Sequence, residues 1–442
     1  MVGTGVLDQR IKRLAQSLTA ESESREMNVV LHKWNHGKID FISAYRSLES
    51  LKNRGVVYGW GLDGFGELMR QDEHDWVFVQ VFPQELTKFG IVTKVLAGYF
   101  TSFVLKGEKL FASGENDLGH LGHGGLNSFK GVQSVKQVKL QSVRSFESKC
   151  HSTFAIDTSS RLWSWGCNDY GQLGRPTDKI YDSTPRIIDS LRKYKIKQVA
   201  SSSEHVCCLT VDGEVLTWLN DRDDYANYAH YKVTYMDASV TDIKLPTKIN
   251  TERILQIACG EYHTLLLSVD QKTVWAFGCN NYGQLGHDPG LRPKFDYCLT
   301  PLEVPLVSDK KIVKLQCGEF SSAVLSADGR ITVWGHTAEI YDYKNGHLPR
   351  VINIEQKVAD ISMSEASFFL LALTIDNRLY AVGNNRSGQC GQGQDAKDFY
   401  EQPVRVKNLE TLRIKQISAG SRHCLIICTK DSNSHMNFYI TI

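Results

Sequence analysis

Histidines are the residues of this sequence whose type and spacing most readily suggest chemistry. Two pairs have the close spacing of metal ligands, His120 with His123 in HLGH and His32 with His36 in HKWNH. Neither pair has further ligands close by in the sequence, and the second lacks the glutamate that the zinc motif HExxH places after its first histidine. We therefore interpret these histidines as surface or packing residues, and we expect no metal site and no cofactor.

Another set of histidines recurs at one position of a repeated pattern, three residues after a glycine or serine. Its members are His151, His205, His263 and His423, and other copies of the pattern carry Thr101, Ser321 and Ser367 instead. A catalytic residue has no reason to recur in every unit of an array, so this recurrence favours a structural hydrogen-bonding role. The sequence also contains no Walker-type phosphate loop and no paired nucleophile and base. It predicts no catalytic residue and no covalent catalysis.

Charge and composition narrow the class of protein. The chain has 51 basic and 49 acidic residues, a balance unlike that of proteins that bind phosphate backbones, so we expect no direct nucleic-acid partner. The odd number of cysteines, 11, and their recurrence at equivalent positions such as Cys259 and Cys317 indicate reduced core residues. No stretch is apolar enough for a membrane-spanning segment and the N-terminus does not resemble a secretory signal. We expect a monomeric cytoplasmic or nuclear protein.

A sequence repeat with a long period indicates the secondary-structure elements that carry the recurring histidines. The stretch 161–174, RLWSWGCNDYGQLG, returns as KTVWAFGCNNYGQLG at 272–286, and weaker copies occur along the whole chain. The glycine that ends each apolar run recurs at intervals of 48 to 59 residues, with one copy replaced by Leu219. Such a period predicts an array of supersecondary units, here seven.

Each unit is predicted to be a four-stranded antiparallel sheet. In one unit, 196–200, 205–211 and 214–219 are apolar runs, and Asp212-Gly213 between the last two is a strong hairpin signal. A segment led by proline follows the loop after the third strand, which fits an outermost strand because proline lacks an amide donor. Seven such sheets packed around an axis bury both faces of every sheet.

With these motifs, the chain resembles the repeat family of the regulator of chromosome condensation. The resemblance covers about residues 55–430 and implies an all-β fold, a seven-bladed β-propeller. We expect a helical N-terminal extension at 1–54 and a propeller at 55–442. The repeats open with a third strand and close with a first and second, which predicts one composite blade made from both ends of the chain. Residues 436–442 alternate like a further strand, and the sequence leaves open which end supplies the outermost one.

Function in such a fold is expected on its loops, since the strands are committed to packing. The loops after the third strands vary most, and the longest, 220–243, is rich in tyrosine, which is typical of protein interfaces. The predicted partner-binding residues are Asp221, Arg222, Asp223, Asp224, Tyr225, Tyr228, Tyr231, Tyr235, Arg292, Tyr297, Tyr341 and Tyr343. We predict a non-catalytic module that binds a protein partner, while decayed repeats with idle loops remain an open alternative. The resemblance also implies a second activity, guanine-nucleotide exchange on a Ran-like small GTPase.

Overall fold

The computed structural model describes most of the repeat region. The described residues are 56–69, 79–85, 92–126, 135–149, 151–169, 171–175, 177, 179–202, 205–219, 241–242, 253–287, 297–306, 310–337, 348–366, 368–393 and 396–430. The predicted helical extension at 1–54 lies outside them. Within the described part of the chain, no helix has the length and apolarity that a membrane crossing requires.

The described residues form 28 β-strands and one short 3-10 helix, Asp189–Leu191. The strands of the first half of the chain are β1 Val56–Leu62, β2 Val79–Glu85, β3 Lys94–Ala97, β4 Thr101–Lys106, β5 Lys109–Gly114, β6 Lys136–Gln137, β7 Val143–Lys149, β8 Ser152–Asp157, β9 Leu162–Cys167, β10 Tyr181–Ile187, β11 Ile196–Ser201, β12 His205–Thr210, β13 Val215–Leu219 and β14 Thr241–Asp242. Those of the second half are β15 Ile254–Cys259, β16 His263–Ser268, β17 Val274–Cys279, β18 Tyr297–Glu303, β19 Ile312–Cys317, β20 Ser321–Ser326, β21 Ile331–Gly335, β22 Arg350–Ile352, β23 Val358–Met363, β24 Phe369–Thr374, β25 Leu379–Asn384, β26 Phe399–Arg405, β27 Leu412–Ala419 and β28 His423–Lys430.

These strands form seven four-stranded antiparallel sheets, the blades of a β-propeller. Blades 1 to 6 each use four consecutive strands, starting with β3–β6 and ending with β23–β26, and blade 7 has the order β2-β1-β28-β27. The first strands of neighbouring blades contact one another around the axis, where they enclose a central channel with a cavity of about 250 Å³. The predicted fold class is confirmed.

Blade 7 closes the ring with strands from both ends of the repeat region, as predicted. Val56 pairs with Cys428 and Gly61 with His423, so β1 lies antiparallel to β28. The outermost strand is β2, which pairs with β1. Residues 436–442, the other candidate for that place, lie outside the described residues.

The outermost strands correct one detail of the prediction. Pro349 directly precedes β22, as predicted, but in four other outermost strands proline does not lead: it is the fifth residue of seven in β2, β10, β18 and β26. In each case the pairing with the third strand is irregular near the proline. A bulged edge strand tolerates a residue without an amide donor, which is why proline can stand inside these strands.

The hairpin between second and third strands forms as predicted. Gly213 has φ of +88°, and a Cβ built there would lie 2.7 Å from Cβ of Arg253. Glycine therefore provides both the backbone conformation and the space at this turn.

Tryptophans of the third strands bind each blade to the loop of the blade before it. The indole Nε1 of Trp60, Trp165, Trp218 and Trp334 donates to the main-chain oxygen of Gln389, His120, Gln172 and Gln284, respectively, at 2.7 to 2.9 Å. The loop position between the two glycines of the motif thus supplies a buried acceptor at four seams. This is the structural reason for the pairing of tryptophan with Gly-Gln-Leu-Gly in the repeat.

Most of the recurring histidines have the predicted structural role. The Nε2 atoms of His205, His263 and His423 form hydrogen bonds with hydroxyls of the next blade, on Thr264, Ser322 and Ser102, at 2.8 to 2.9 Å. Burial lowers the pKa of His423 to about 3, so its ring is neutral at pH 7. His151 is the exception, because the equivalent residue of the next blade is Val206, which has no hydroxyl.

The cysteine interpretation also agrees with the structure. Ten cysteines are described; all ten are buried and none of them forms a disulfide. Cys259 and Cys317 lie in the apolar cores between blades, as expected of small hydrophobic residues.

Candidate protein-interaction face

Because the strands of each blade are antiparallel, the connections between successive strands lie at one of the two ends of the propeller. Connections from first to second strands and from third to fourth strands lie at one end, here called the loop face. The hairpins between second and third strands, such as the one at Gly213, lie at the other end, here called the turn face. The loop face is the one on which the predicted partner-binding residues are expected, from the order of residues and strands along the chain.

The structure leaves the predicted residues themselves untested. Eleven of the 12 lie outside the described residues: Asp221, Arg222, Asp223, Asp224, Tyr225, Tyr228, Tyr231, Tyr235, Arg292, Tyr341 and Tyr343. Tyr297 is the first residue of β18, and its side chain is outside the description. The loops that carry these residues belong to blades 3, 4 and 5, and the interface there remains a prediction.

Described residues of blades 4 and 5 form an aromatic cluster on the loop face, here called the aromatic sector: Tyr262, Tyr282, Phe320 and His336. The rings of Tyr262 and Phe320 are stacked, with centroids 5.7 Å apart and planes at 17°. Tyr282 packs on Phe320 at 4.6 Å and on His336 at 5.9 Å. All four side chains are partly exposed. The sector is therefore a preassembled aromatic surface with access to solvent.

Acidic residues stand next to the aromatic sector on the loop face. Glu261 and Glu319 stand at equivalent positions directly before Tyr262 and Phe320, and Glu365 follows in blade 6. The amide of Glu261 donates to the main-chain oxygen of Glu319 at 3.2 Å, which fixes the two segments against each other. Burial raises the pKa of Glu319 above its ordinary value. A positively charged partner group would relieve that penalty.

Sequence reasoning missed the aromatic sector because it concentrated on the variable loops after third strands. Tyr262 and Phe320 stand two residues after the marker glycines Gly260 and Gly318. Comparing that position across all units would have shown an aromatic residue there in adjacent units, one on each side of a blade seam. The signal was in the repeat marker itself.

A lysine crosses the channel near the loop face. Nζ of Lys149, from blade 2, donates to the carbonyl oxygens of Cys259 at 2.5 Å and Cys317 at 3.4 Å, in blades 4 and 5. Burial acts to lower the pKa of Lys149, but the attraction of Cys317 and Glu147 outweighs it, so the pKa is raised and the ammonium group stays charged at pH 7. This contact ties the base of the aromatic sector to the opposite side of the ring.

Two clusters of described residues have donor atoms close enough to share a metal ion. In the first, His205 with Cys207 and Cys259, both ring nitrogens of His205 are already bonded, to Ser202 Oγ at 2.8 Å and Thr264 Oγ1 at 2.9 Å. This cluster is explained by packing between blades. The second cluster is Glu115, His120 and His151, and it has no such explanation. His123, the sequence neighbour considered with His120, instead contacts the main-chain oxygen of Lys136 at 3.2 Å.

Seven four-stranded blades, closed by strands from both ends of the repeat region, define a seven-bladed β-propeller. The family model of the RCC1-like domain matches residues 133–426. The chain belongs to this family, and the resemblance to the repeats of the regulator of chromosome condensation is confirmed.

Similar proteins differ widely in size. The E3 ubiquitin-protein ligase HERC2 of Mus musculus is 28% identical over 445 residues, which cover 95% of this chain and 9% of HERC2. The ultraviolet-B receptor UVR8 of Arabidopsis thaliana is 24% identical over 388 residues, covering 84% of this chain and 83% of UVR8. The solved structure of Prp20p from Saccharomyces cerevisiae has a TM-score of 0.71 at 20% identity, covering 86% of this chain and 93% of Prp20p. This chain thus spans less than a tenth of the HERC2 sequence that it matches, and the solved structure supports the fold.

Proposed function

We propose that this RCC1-like propeller is a non-catalytic interaction module that binds a protein partner through the part of the loop face formed by blades 3 to 5. The observation that carries the proposal is the aromatic sector, with Glu261 and Glu319 beside it. Aromatic side chains that are already packed lose little conformational freedom on binding, so they contribute strongly to affinity.

The charges of this surface indicate the chemistry of the partner. Two carboxylates at equivalent positions of neighbouring blades, next to stacked rings, match a segment that combines Lys or Arg with an apolar anchor. An Arg side chain fits such a surface well, because it can stack on an aromatic face while it pairs with a carboxylate. The predicted loop residues would extend the same surface outward.

The first test removes the centre of the aromatic sector. The full chain serves as bait for capture and mass spectrometry, in wild-type form and as Phe320→Ala and Glu319→Lys. We expect both variants to weaken capture of the same partners by at least about 30-fold, the effect of an interface hot spot. Ile375→Ala and Glu214→Lys are matched controls, because both residues are exposed on the turn face. Equal capture by wild type and both sector variants would contradict the proposal.

A second variant tests the predicted loop. Replacing Tyr225, Tyr228 and Tyr231 together by alanine should leave the unfolding temperature unchanged and abolish capture of the same partners. Capture that survives the triple change but fails in Phe320→Ala would restrict the interface to the aromatic sector.

A second candidate function is guanine-nucleotide exchange on a Ran-like small GTPase, which the family resemblance implies. The structure of Prp20p was described together with that protein's binding to Gsp1p and histones, so partner binding by this fold has a precedent. Stopped-flow measurement of fluorescent guanine-nucleotide release from a Ran-type GTPase tests this candidate. No acceleration at micromolar concentrations of this protein would remove it and leave the interaction module standing.

A further inference from the structure

We propose that Glu115, His120 and His151 bind a divalent transition-metal ion, with zinc the best-fitting metal, at the seam between blades 1 and 2 on the loop face. Their donor atoms all lie within 4.8 Å of one another. One carboxylate and two imidazoles form a ligand set typical of zinc sites with three protein ligands, which keep a fourth position for water.

The two imidazole rings already have a separation suited to a shared ion. Their centroids are 5.3 Å apart, with planes at 64°. Two imidazoles bound tetrahedrally to one zinc ion at about 2.1 Å have centroids roughly 5 Å apart. Nδ1 of His151 is 3.9 Å from Oε2 of Glu115, too long for a hydrogen bond and short enough for an ion to contact both.

His120 is a departure from the repeat that packing does not explain. Gln284 and Gln389 hold the same loop position, and each accepts a hydrogen bond from the amide two residues earlier, at 2.9 and 2.8 Å. His120 is fully buried; its ring lies near the main-chain oxygen of Glu115, but neither ring nitrogen forms a hydrogen bond of good geometry with a described residue. Two orphaned nitrogens in a buried side chain are costly unless something else binds them.

His151 is a second departure: the bond that it lacks would reach blade 3, and its ring lies at the seam between blades 1 and 2 instead. The equivalent histidines bond a hydroxyl of the next blade, such as Thr264 for His205. The corresponding residue for His151 is Val206, which has no hydroxyl. Deprived of its repeat partner, His151 packs edge-on against His120 instead. Two independent changes in the repeat therefore bring two histidines together.

The surroundings hold the ligands in place and favour a cation. The main-chain oxygen of His120 accepts bonds from Trp165 Nε1 and Thr153 Oγ1, both at 2.8 Å, which fixes the residue at the seam. Gly166 provides the space for this approach, because a Cβ there would lie 2.9 Å from Cβ of His120. Asp117 and Asp169 act on the cluster electrostatically and raise the pKa of His151 against the larger effect of burial. His151 is 35% exposed, so an ion has a route from solvent.

The protonation states also suit a metal. Burial, together with repulsion from His151, lowers the pKa of His120 to about 3, and the main-chain oxygen of Glu115 offsets only part of this shift. Both imidazoles are therefore neutral at pH 7 and able to act as ligands. Burial and the neighbouring Asp117 raise the pKa of Glu115, a penalty that a bound cation would remove.

Metal binding by the full chain tests the proposal directly. Protein purified without a histidine tag is stripped with chelator, dialysed against zinc and measured by elemental analysis, and its affinity is measured by competition with a chromophoric chelator. His120→Gln, His151→Ser and Glu115→Gln remove one ligand each, and the first two install residues that other units carry at those positions. His123→Gln is the matched control, and Cys207→Ser removes the other cluster.

We expect one zinc ion per wild-type chain and at least about 100-fold weaker binding in each ligand variant, since changes in supporting residues alone cost 10–100-fold. His123→Gln and Cys207→Ser should bind like wild type. With cobalt in place of zinc, the spectrum should show tetrahedral bands without thiolate charge transfer. Absence of zinc binding by wild type, unchanged binding by His120→Gln, or loss only in Cys207→Ser would each overturn the proposal. Equal unfolding temperatures in chelator establish that the variants are folded.

Discussion

Replacing Glu67 by glutamine should stabilise the protein, and increasingly so as the pH rises. Glu67 occupies the loop position that other blades fill with Gln172, Gln284 and Gln389. It is fully buried, and its Oε2 accepts a hydrogen bond from the amide of Phe65 at 2.8 Å. Glutamine keeps that acceptor and removes the ionisable group, so Glu67→Gln isolates the effect of the charge.

The magnitude follows from the shifted ionisation. Burial raises the pKa of Glu67 from 4.5 to about 8, and hydrogen bonds from the main chain offset only part of that shift. A carboxyl whose pKa is raised by folding holds its proton more tightly in the folded state, so its contribution to stability is fully present below pH 4.5 and is lost as the pH rises towards 8. At about 1.36 kcal/mol per pKa unit, the wild type should lose roughly 3 kcal/mol between pH 5 and pH 8 that the variant keeps.

Urea denaturation of both proteins at pH 5, 6.5 and 8 provides the measurement. The difference in free energy of unfolding between variant and wild type should be small at pH 5 and grow with pH, because all other titrating groups are common to both and cancel. A difference that stays constant from pH 5 to pH 8 would refute the reasoning, since it would mean that Glu67 ionises normally in the folded protein.

Two further predictions concern the packing of the ring. His423→Thr, which installs the residue found at Thr101, should make the protein less sensitive to acid. In the unfolded chain the histidine takes up a proton below its ordinary pKa of 6.5, but in the folded protein it does so only near pH 3. The free energy of unfolding of the wild type should therefore fall by about 2 kcal/mol more than that of the variant between pH 7 and pH 5. The same denaturation series measures this loss, and identical acid limbs would contradict it. Gly166→Ala should lower the free energy of unfolding by several kcal/mol, because φ is +103° and the new Cβ would lie 2.3 Å from the carbonyl oxygen of His151. Gly171 has φ of +71°, but no described atom lies within 4 Å of a Cβ built there. Alanine at that position should therefore lower the free energy of unfolding by only about 1 kcal/mol. Thermal unfolding of the two variants measures the contrast, and equal losses would show that backbone conformation alone governs both sites.

Much of the fold was predictable because the same turn residues and apolar runs recur in the seven units of the sequence. The hairpin at Asp212-Gly213 and the closure by both ends follow from turn chemistry and from the missing strands of the first and last units. The identity of the outermost strand of blade 7 did not follow, although Pro83 in β2 stands at the same fifth position as Pro185 in β10. Taking proline as the start of a strand hid that match. The prediction rested only on the missing amide donor of proline and did not consider that a bulge in the strand could accommodate it.

The candidate sites were harder to predict because their residues come from neighbouring blades. His120 was compared with His123, its neighbour in sequence, while its contact in the structure is His151 of the next repeat. Tyr262 and Phe320 are likewise one repeat apart and stack across a seam. Predicting such contacts requires both the radial arrangement of the blades and the register between neighbouring blades. The periodicity of the sequence indicates the arrangement but not the register.

In a closed ring of similar blades, departures from the repeat are more informative than the repeat itself. The repeated tryptophans, glutamines and histidines are occupied by bonds between blades, as Trp218 with Gln172 and His263 with Ser322 show. A unit that changes one of these residues loses a hydrogen bond that the other units form. Such a change is retained only where another interaction compensates for the lost bond or where the packing between the blades accommodates it. Two such changes act on the seam between blades 1 and 2, His120 for glutamine in blade 1 and, in blade 3, Val206 for the hydroxyl residue that His151 would bond, and the two histidines meet. That coincidence is what packing alone does not predict and a bound ligand would explain.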